Sequence, residues 1–164
     1  MSSLPPPRDP GGPYRICLVC LGNICRSPMA EAVLRAHAYE SGTDVVIDSA
    51  GTGNWHLGQS MNTRAQAHLT KRGYDGETHR ARQIDASWLS ERDLFLAMDS
   101  ANLADLRAMA RGVPGAEDRI LLFGEVGGLG GADIPDPYSG GPEDFAKVLD
   151  MLEAAAPYIL SSLD

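Results

Sequence analysis

With 164 residues, 43% of them hydrophobic and 22% charged, the chain is sized and composed for one packed domain, which excludes a tandem architecture, a coiled coil and disorder throughout. Lys and Arg number 14 against 22 Asp and Glu, a formal net charge of −8, so no nucleic-acid partner is expected and any phosphate must be captured locally. Cys17, Cys20 and Cys25 fall close together, an odd set unlike the disulfide framework of a secreted domain, and the expected compartment is the cytoplasm.

Residues 1–13 are rich in Pro and Gly and lack the apolar centre of a signal peptide. They are expected to form a flexible tail ahead of a single domain over residues 14–164. No stretch is apolar for long enough to span a bilayer, so no membrane partner is expected. Residues 14–19, with Ile16, Cys17, Leu18 and Val19 in a row, read as a strand buried on both faces that stops at Cys20-Leu21-Gly22-Asn23. Ser27-Pro28 suits a helix start, with Ser as cap and Pro at the first helical position, and apolar residues recur at helical spacing up to Ser41-Gly42. Val45, Val46 and Ile47 form a second strand, completing a βαβ unit.

The polar, Gly-rich residues 49–60 read as a surface loop. Residues 62–71 read as a helix closed by Arg72-Gly73, followed by an irregular basic segment holding His79, Arg80 and Arg82. Residues 94–98 form a third strand, residues 102–110 a helix capped by Asp99-Ser100, and residues 120–123 a fourth strand. A Gly-rich linker leads to Asp136-Pro137-Tyr138, and Pro142 opens a last amphipathic helix reaching about residue 160. Strands alternating with helices imply an α/β fold: an open four-stranded, mostly parallel sheet with helices on both faces, and a phosphate-binding loop after the first strand.

In such folds ligands bind beyond the carboxyl ends of the strands, where this chain carries Cys20-Leu21-Gly22-Asn23-Ile24-Cys25-Arg26-Ser27. Gly22 and Asn23 tolerate left-handed backbone angles, so the loop can curl its N–H groups inward into an anion-binding nest. The following helix adds its positive dipole end, and Arg26 a planar fork for two phosphate oxygens. Cys20 at the floor of that nest is stabilised as thiolate, a nucleophile, with Ser27 able to donate a hydroxyl to it. Asp136, on a Gly-flanked loop, is the candidate proton donor to a leaving group and later the activator of water.

These residues resemble the low-molecular-weight protein tyrosine phosphatases. The resemblance rests on the Cys20 to Arg26 loop with Ser27 and Ser-Pro-Met-Ala-Glu after it, on Asp48-Ser49-Ala50-Gly51-Thr52-Gly53-Asn54-Trp55-His56, on Arg80-Ala81-Arg82-Gln83, on Met98-Asp99 and on Asp136-Pro137-Tyr138. It implies phosphotyrosine hydrolysis through a phosphocysteine, without metal or organic cofactor, on a tyrosine-phosphorylated protein partner, by a monomer. By the same resemblance Cys20 is the nucleophile, Arg26 binds phosphate and Asp136 is the acid and base. Asn23, Ser49 and His79 would lock the loop, Trp55 and Tyr138 would flank the substrate ring, and Cys25 would form a reversible disulfide with Cys20. Ser139 stands where many members carry a second tyrosine.

Plainer readings stand beside these. Cys17 is an inert buried thiol. Cys17, Cys20 and Cys25 would lack a fourth ligand for zinc. Asp-Pro is a common turn, Asp99 a helix cap, His37 and His68 solvated, and His56 ambiguous. Arg80 and Arg82 could reverse the acidic field near the cleft. An arsenate reductase on the same scaffold would need relay cysteines, and none follows Cys25; a phosphotyrosine-binding module would need neither nucleophile nor acid.

Overall fold

The computed structural model describes residues 4–163. Strands β1 (Tyr14–Cys20), β2 (Val45–Gly51), β3 (Leu94–Ala97) and β4 (Ile120–Leu122) form one parallel sheet in the order β2-β1-β3-β4. Successive β1 side chains face opposite layers. Ile16, Leu18 and Cys20 join one core with helices α1 (Arg26–Ser41), α2 (Thr63–Lys71) and α5 (Pro142–Ser161), and with the short helix α4 (Phe123–Val126). Cys17 and Val19 join the other, against Phe95 and Leu106, the latter on helix α3 (Ser100–Ala110). Burial on both faces explains why β1 reads as an unbroken apolar run.

The chain adds β2 on one side of β1 and β3 with β4 on the other, so a crevice opens at the carboxyl ends of β1 and β3. Cys20 stands opposite Gly51 at the last rung of β1 and β2. The loop leaving Cys20 packs directly on Gly51: a Cβ there would stand 2.6 Å from the Leu21 carbonyl oxygen.

Several boundaries differ from the sequence expectation for local reasons. The second strand runs on to Gly51, because Asp48 and Ser49 continue the ladder opposite Cys17 and Leu18. Helix α1 begins at Arg26, the Cys25 carbonyl accepting from the Met29 N–H at 3.0 Å. Ser27 therefore lies inside the first turn and does not cap it, and Pro28 sits where a missing N–H goes unnoticed. Gly42, at φ 67°, ends that helix as the sequence indicates. Asn62 caps α2 and Asp99 caps α3. Phe123 leaves the fourth strand and opens α4.

His37 and His68 are not simply solvated: each stacks on an aromatic ring, Tyr74 at 6.4 Å and Phe145 at 5.3 Å between centroids. The segment ahead of β1 is tied down where a free tail is expected. The Arg8 N–H donates to Asp93 Oδ1 at 2.7 Å, its guanidinium reaches the Leu89 and Arg92 carbonyls, and the Tyr14 hydroxyl donates to the Pro5 carbonyl. Asp93 is buried, and the Arg8 N–H on one oxygen and the Arg15 N–H on the other, at 2.7 Å, satisfy it. Residues 1–3 of that expected tail lie outside the described residues. No described helix is long and apolar enough to cross a membrane.

Candidate active site

The loop from Cys20 to Arg26 curls at Asn23, whose φ of 57° is the one positive value among described non-glycine residues. Gly22 does not use the left-handed angle open to it. Its missing side chain serves close approach instead, since a Cβ would stand 3.0 Å from the His56 ring. Backbone bonds pin the outer side of the loop. Thr52 and Gly53 donate to the Cys20 and Leu21 carbonyls at 3.0 and 2.9 Å, and Asn62 donates to the Ile24 carbonyl at 2.9 Å.

The Cys20 sulfur accepts the Asn23 N–H at 3.3 Å and lies 2.9 Å from Ser27 Oγ. The proton on that hydroxyl has a defined direction. Asn23 Nδ2 donates to Ser27 Oγ at 2.8 Å and to Ser49 Oγ at 3.0 Å, and Ser49 passes its own proton to Glu31 Oε1 at 2.6 Å. With its oxygen occupied as acceptor and the alternative acceptor, the Ala50 carbonyl, farther off at 3.5 Å, the Ser27 hydroxyl directs its proton to the sulfur when Cys20 is a thiolate. Asn23 Oδ1 accepts the Arg82 N–H at 2.9 Å, which fixes the orientation of the amide. The left-handed residue is thus held through every polar group of its side chain.

His79 Nε2 donates to the Asn23 carbonyl at 2.7 Å. Burial lowers the His79 pKa below its ordinary 6.5 while that hydrogen bond opposes the shift, so at neutral pH the ring is uncharged with its proton on Nε2. Ser49 and His79 therefore lie behind the loop, each hydrogen-bonded to Asn23.

Arg26 is buried, 4% exposed. One terminal nitrogen donates to Asp99 Oδ2 at 2.6 Å and to the Ile134 carbonyl at 3.0 Å, and the other stands 3.8 Å from Asp136 Oδ2. Burial works against its charge, but the Asp99 hydrogen bond and the nearby charges of Cys20, Asp99 and Asp136 more than offset this and raise its pKa. The first turn of α1 has neither a capping side chain nor an acidic residue. Among the described residues the Gly22, Ile24 and Cys25 N–H groups have no acceptor. Free amides, a helix N-terminus and a buried guanidinium converge on one spot, which is the electrostatics of an oxyanion site.

A narrow cavity of about 140 Å³ opens above Cys20. All residues from Cys20 to Arg26 line it, with Trp55, His56, Asp136 and Tyr138. Trp55 and Tyr138 are 66% and 48% exposed, so both stand at the rim. His56 joins them, its Nδ1 3.0 Å from Gln59 Oε1. The Asp136 carboxylate accepts the Tyr138 N–H at 3.1 Å and is half exposed at the mouth. Cys25 shares the cavity as a thiol: burial first, then the charges of Asp136 and Cys20, push it up to about 12.

One sequence expectation fails here and another proves incomplete. Arg80 and Arg82 do not face this cleft; they line a separate cavity of about 720 Å³ behind the loop, with Glu31, Asp48 and Ser49. Asp99 is more than a cap, since one oxygen holds the Asn102 N–H at 2.7 Å and the other holds Arg26. Glu31, which anchors Ser49, also carries a function that sequence reading did not assign. The signal for both was present in Ser-Pro-Met-Ala-Glu and Met98-Asp99, segments that carry the resemblance, where the glutamate has no expected role and the aspartate only that of a cap.

Residues 15–164 match the family described as low molecular weight phosphotyrosine protein phosphatase. A low molecular weight protein-tyrosine-phosphatase of Streptomyces coelicolor is 45% identical over 92% of this chain and 93% of its own length. A protein tyrosine phosphatase of Entamoeba histolytica superposes with a TM-score of 0.86 at 31% identity, over 92% of this chain and 96% of that one. YfkJ of Bacillus subtilis superposes with a TM-score of 0.84 at 32% identity, over 94% and 97%. The match spans both the loop from Cys20 to Arg26 and the distant Asp136 segment, so the chain belongs to the low molecular weight protein tyrosine phosphatases, enzymes that hydrolyse phosphotyrosine through a cysteine nucleophile.

Proposed function

We propose that Cys20 is that nucleophile, Arg26 the binder of the phosphoryl oxygens and Asp136 the general acid and base. The Cys20 thiolate attacks phosphorus in line with the departing phenolic oxygen. As the P–O bond breaks, the Asp136 carboxylic acid gives its proton to that oxygen. The free N–H groups of Gly22, Ile24 and Cys25 and the Arg26 guanidinium hold the equatorial oxygens through the transition state. Asp136, now a carboxylate, takes a proton from water as it attacks the phosphocysteine, and Cys20 leaves as thiolate, steadied by the Ser27 hydroxyl. Ser49 and His79 keep the loop in register through Asn23.

Trp55 and Tyr138 are read as the walls for the phenyl ring. A phosphoserine side chain is too short to carry its phosphate past that rim to Cys20. The partner is then a tyrosine-phosphorylated protein, acted on in the cytoplasm by a monomer, with residues 14–164 as one catalytic unit. Cys25 is read as the protecting thiol: peroxide oxidises Cys20 to sulfenic acid, and the Cys25 sulfur displaces hydroxide from it to close a disulfide. Peroxide inactivation should reverse with thiol in the original protein and not in Cys25→Ser.

The single observation that carries the reading is the Cys20 sulfur between Ser27 Oγ and the Asn23 N–H at the base of a cavity that Arg26 and Asp136 also line. The test is phosphate release from an aryl phosphate and from phosphotyrosine and phosphoserine peptides with EDTA present. Turnover of the aryl and phosphotyrosine substrates alone, lost in Cys20→Ala, is the expected result. Turnover surviving in Cys20→Ala, or equal release from phosphoserine, would overturn it.

A further inference from the structure

Helix α2 touches both halves of the site. Its cap, Asn62, donates its backbone N–H to the Ile24 carbonyl of the phosphate loop at 2.9 Å, and with Oδ1 accepts the Arg64 and Ala65 N–H groups at 3.0 and 3.1 Å. Two residues along, the Arg64 guanidinium turns the other way. One terminal nitrogen donates to the Gly140 carbonyl at 2.8 Å and the other donates to the Tyr138 carbonyl. The guanidinium carbon lies 4.9 Å from the centre of the Phe145 ring, a fully buried side chain in the first turn of α5.

The segment that Arg64 grips is the one that carries Asp136. It is anchored at its start, where the Ile134 N–H donates to the Met98 carbonyl at 2.8 Å, and at its end, where Gly141 donates to Asp144 at 2.8 Å. Between those anchors its own bonds are local: Tyr138 to Asp136, and Gly140 to the Pro137 carbonyl at 2.9 Å. Among the described residues only Arg64 and Arg26 reach residues 135–140 from elsewhere in the molecule by hydrogen bond or ion pair. The Arg26 contact is long, 3.8 Å, and goes to the reacting carboxylate itself. Arg64 alone therefore holds the backbone of this turn against the body, with a planar fork matched to two carbonyls.

We infer that Arg64 is a positioning residue for the acid: it fixes the Asp136 carboxylate relative to the phosphate loop, whose Ile24 end the same helix turn holds through Asn62. The inference rests on Asp136 being the general acid and base. Arg64 lines no part of the cleft cavity, so its removal affects proton transfer to the leaving group and leaves phosphate binding alone. A misplacement of the acid by about 1 Å is enough to cost roughly 100-fold in a step that depends on it.

The test is a series of aryl phosphates with leaving groups from good to poor, assayed with Arg64→Met, Arg64→Lys, Asp136→Asn and the Arg64→Met/Asp136→Asn pair, alongside inhibition by inorganic phosphate. Arg64→Met should lower kcat/KM by roughly tenfold to 100-fold for poor leaving groups, and by less than about threefold for good ones. The phosphate inhibition constant should stay within about threefold, and Arg64→Met should have little further effect once Asp136 is Asn. Arg64→Lys keeps the charge but reaches one carbonyl, and should fall between the two. A loss uniform across the series, a weakened phosphate constant, additivity with Asp136→Asn, or full activity in Arg64→Lys would each overturn the role. If Asp136→Asn itself shows no leaving-group dependence, the assignment of the acid falls; dependence there without any in Arg64→Met sinks Arg64 alone.

Discussion

Asp99 divides its two oxygens between structure and chemistry. One caps α3 and the other holds the buried Arg26 guanidinium. Asp99→Asn keeps an acceptor for the cap but turns an amide donor toward Arg26. The expected outcome is a fall in kcat/KM of about 100-fold with the unfolding midpoint in urea nearly unchanged. A large loss of stability with activity per folded molecule intact would show the cap to be its whole role. His79 makes a prediction about pH. Its folded pKa is below 6.5, so the unfolded chain takes up the proton first as the pH falls. Its contribution to stability is complete above about 6.5 and is lost as the pH drops through that value toward the folded pKa. His79→Gln, whose amide can still donate to the Asn23 carbonyl, should remove this component. Identical pH profiles of unfolding free energy for the two proteins would contradict it.

The elements of this fold were readable from the chain wherever burial set the pattern. The run Ile16 to Val19, the switch to helical spacing after Pro28, the stop at Gly42 and the amphipathic stretch after Pro142 each follow from a period or a terminator. What could not be read is where a side chain spends its polar atoms. Ser27 looks like a cap before proline, yet its hydroxyl goes to Cys20 and the helix begins one residue earlier than the expected cap. Arg64 has the composition of any exposed helical arginine, and only the fold brings residues 138 and 140 beneath it. The same holds for Gly51, a small residue ending a strand in the sequence and the floor of the phosphate loop in space. Gly51→Ala drives a methyl into the Leu21 carbonyl. It should cost about 1–3 kcal/mol in urea unfolding and lower kcat/KM as well; an unstrained, fully active variant would mean that the loop is not seated on this strand.

At the scale of the molecule, two cores clamp β1, and the segment ahead of it straps across the end of the sheet remote from the site. Arg8 satisfies buried Asp93 from its backbone and the Leu89 and Arg92 carbonyls from its side chain. Deleting residues 1–12 should therefore lower stability by about 1–3 kcal/mol, the cost of leaving a buried acceptor short of a donor, while kcat/KM for an aryl phosphate stays the same. An unchanged urea midpoint would mean that these residues form the free tail their composition suggests. The net charge of −8 offers a dianion no long-range attraction, so on this reading its capture depends on the free N–H groups of the loop and on Arg26.

The most direct measurement is to trap the covalent intermediate. Rapid acid quenching of the enzyme during turnover of an aryl phosphate, followed by peptide mass spectrometry, should place one phosphoryl group on the peptide holding Cys20, in greater amount in Asp136→Asn, where its hydrolysis is slowed. Turnover with no enzyme-bound phosphate, or phosphate on a residue other than Cys20, would contradict the account.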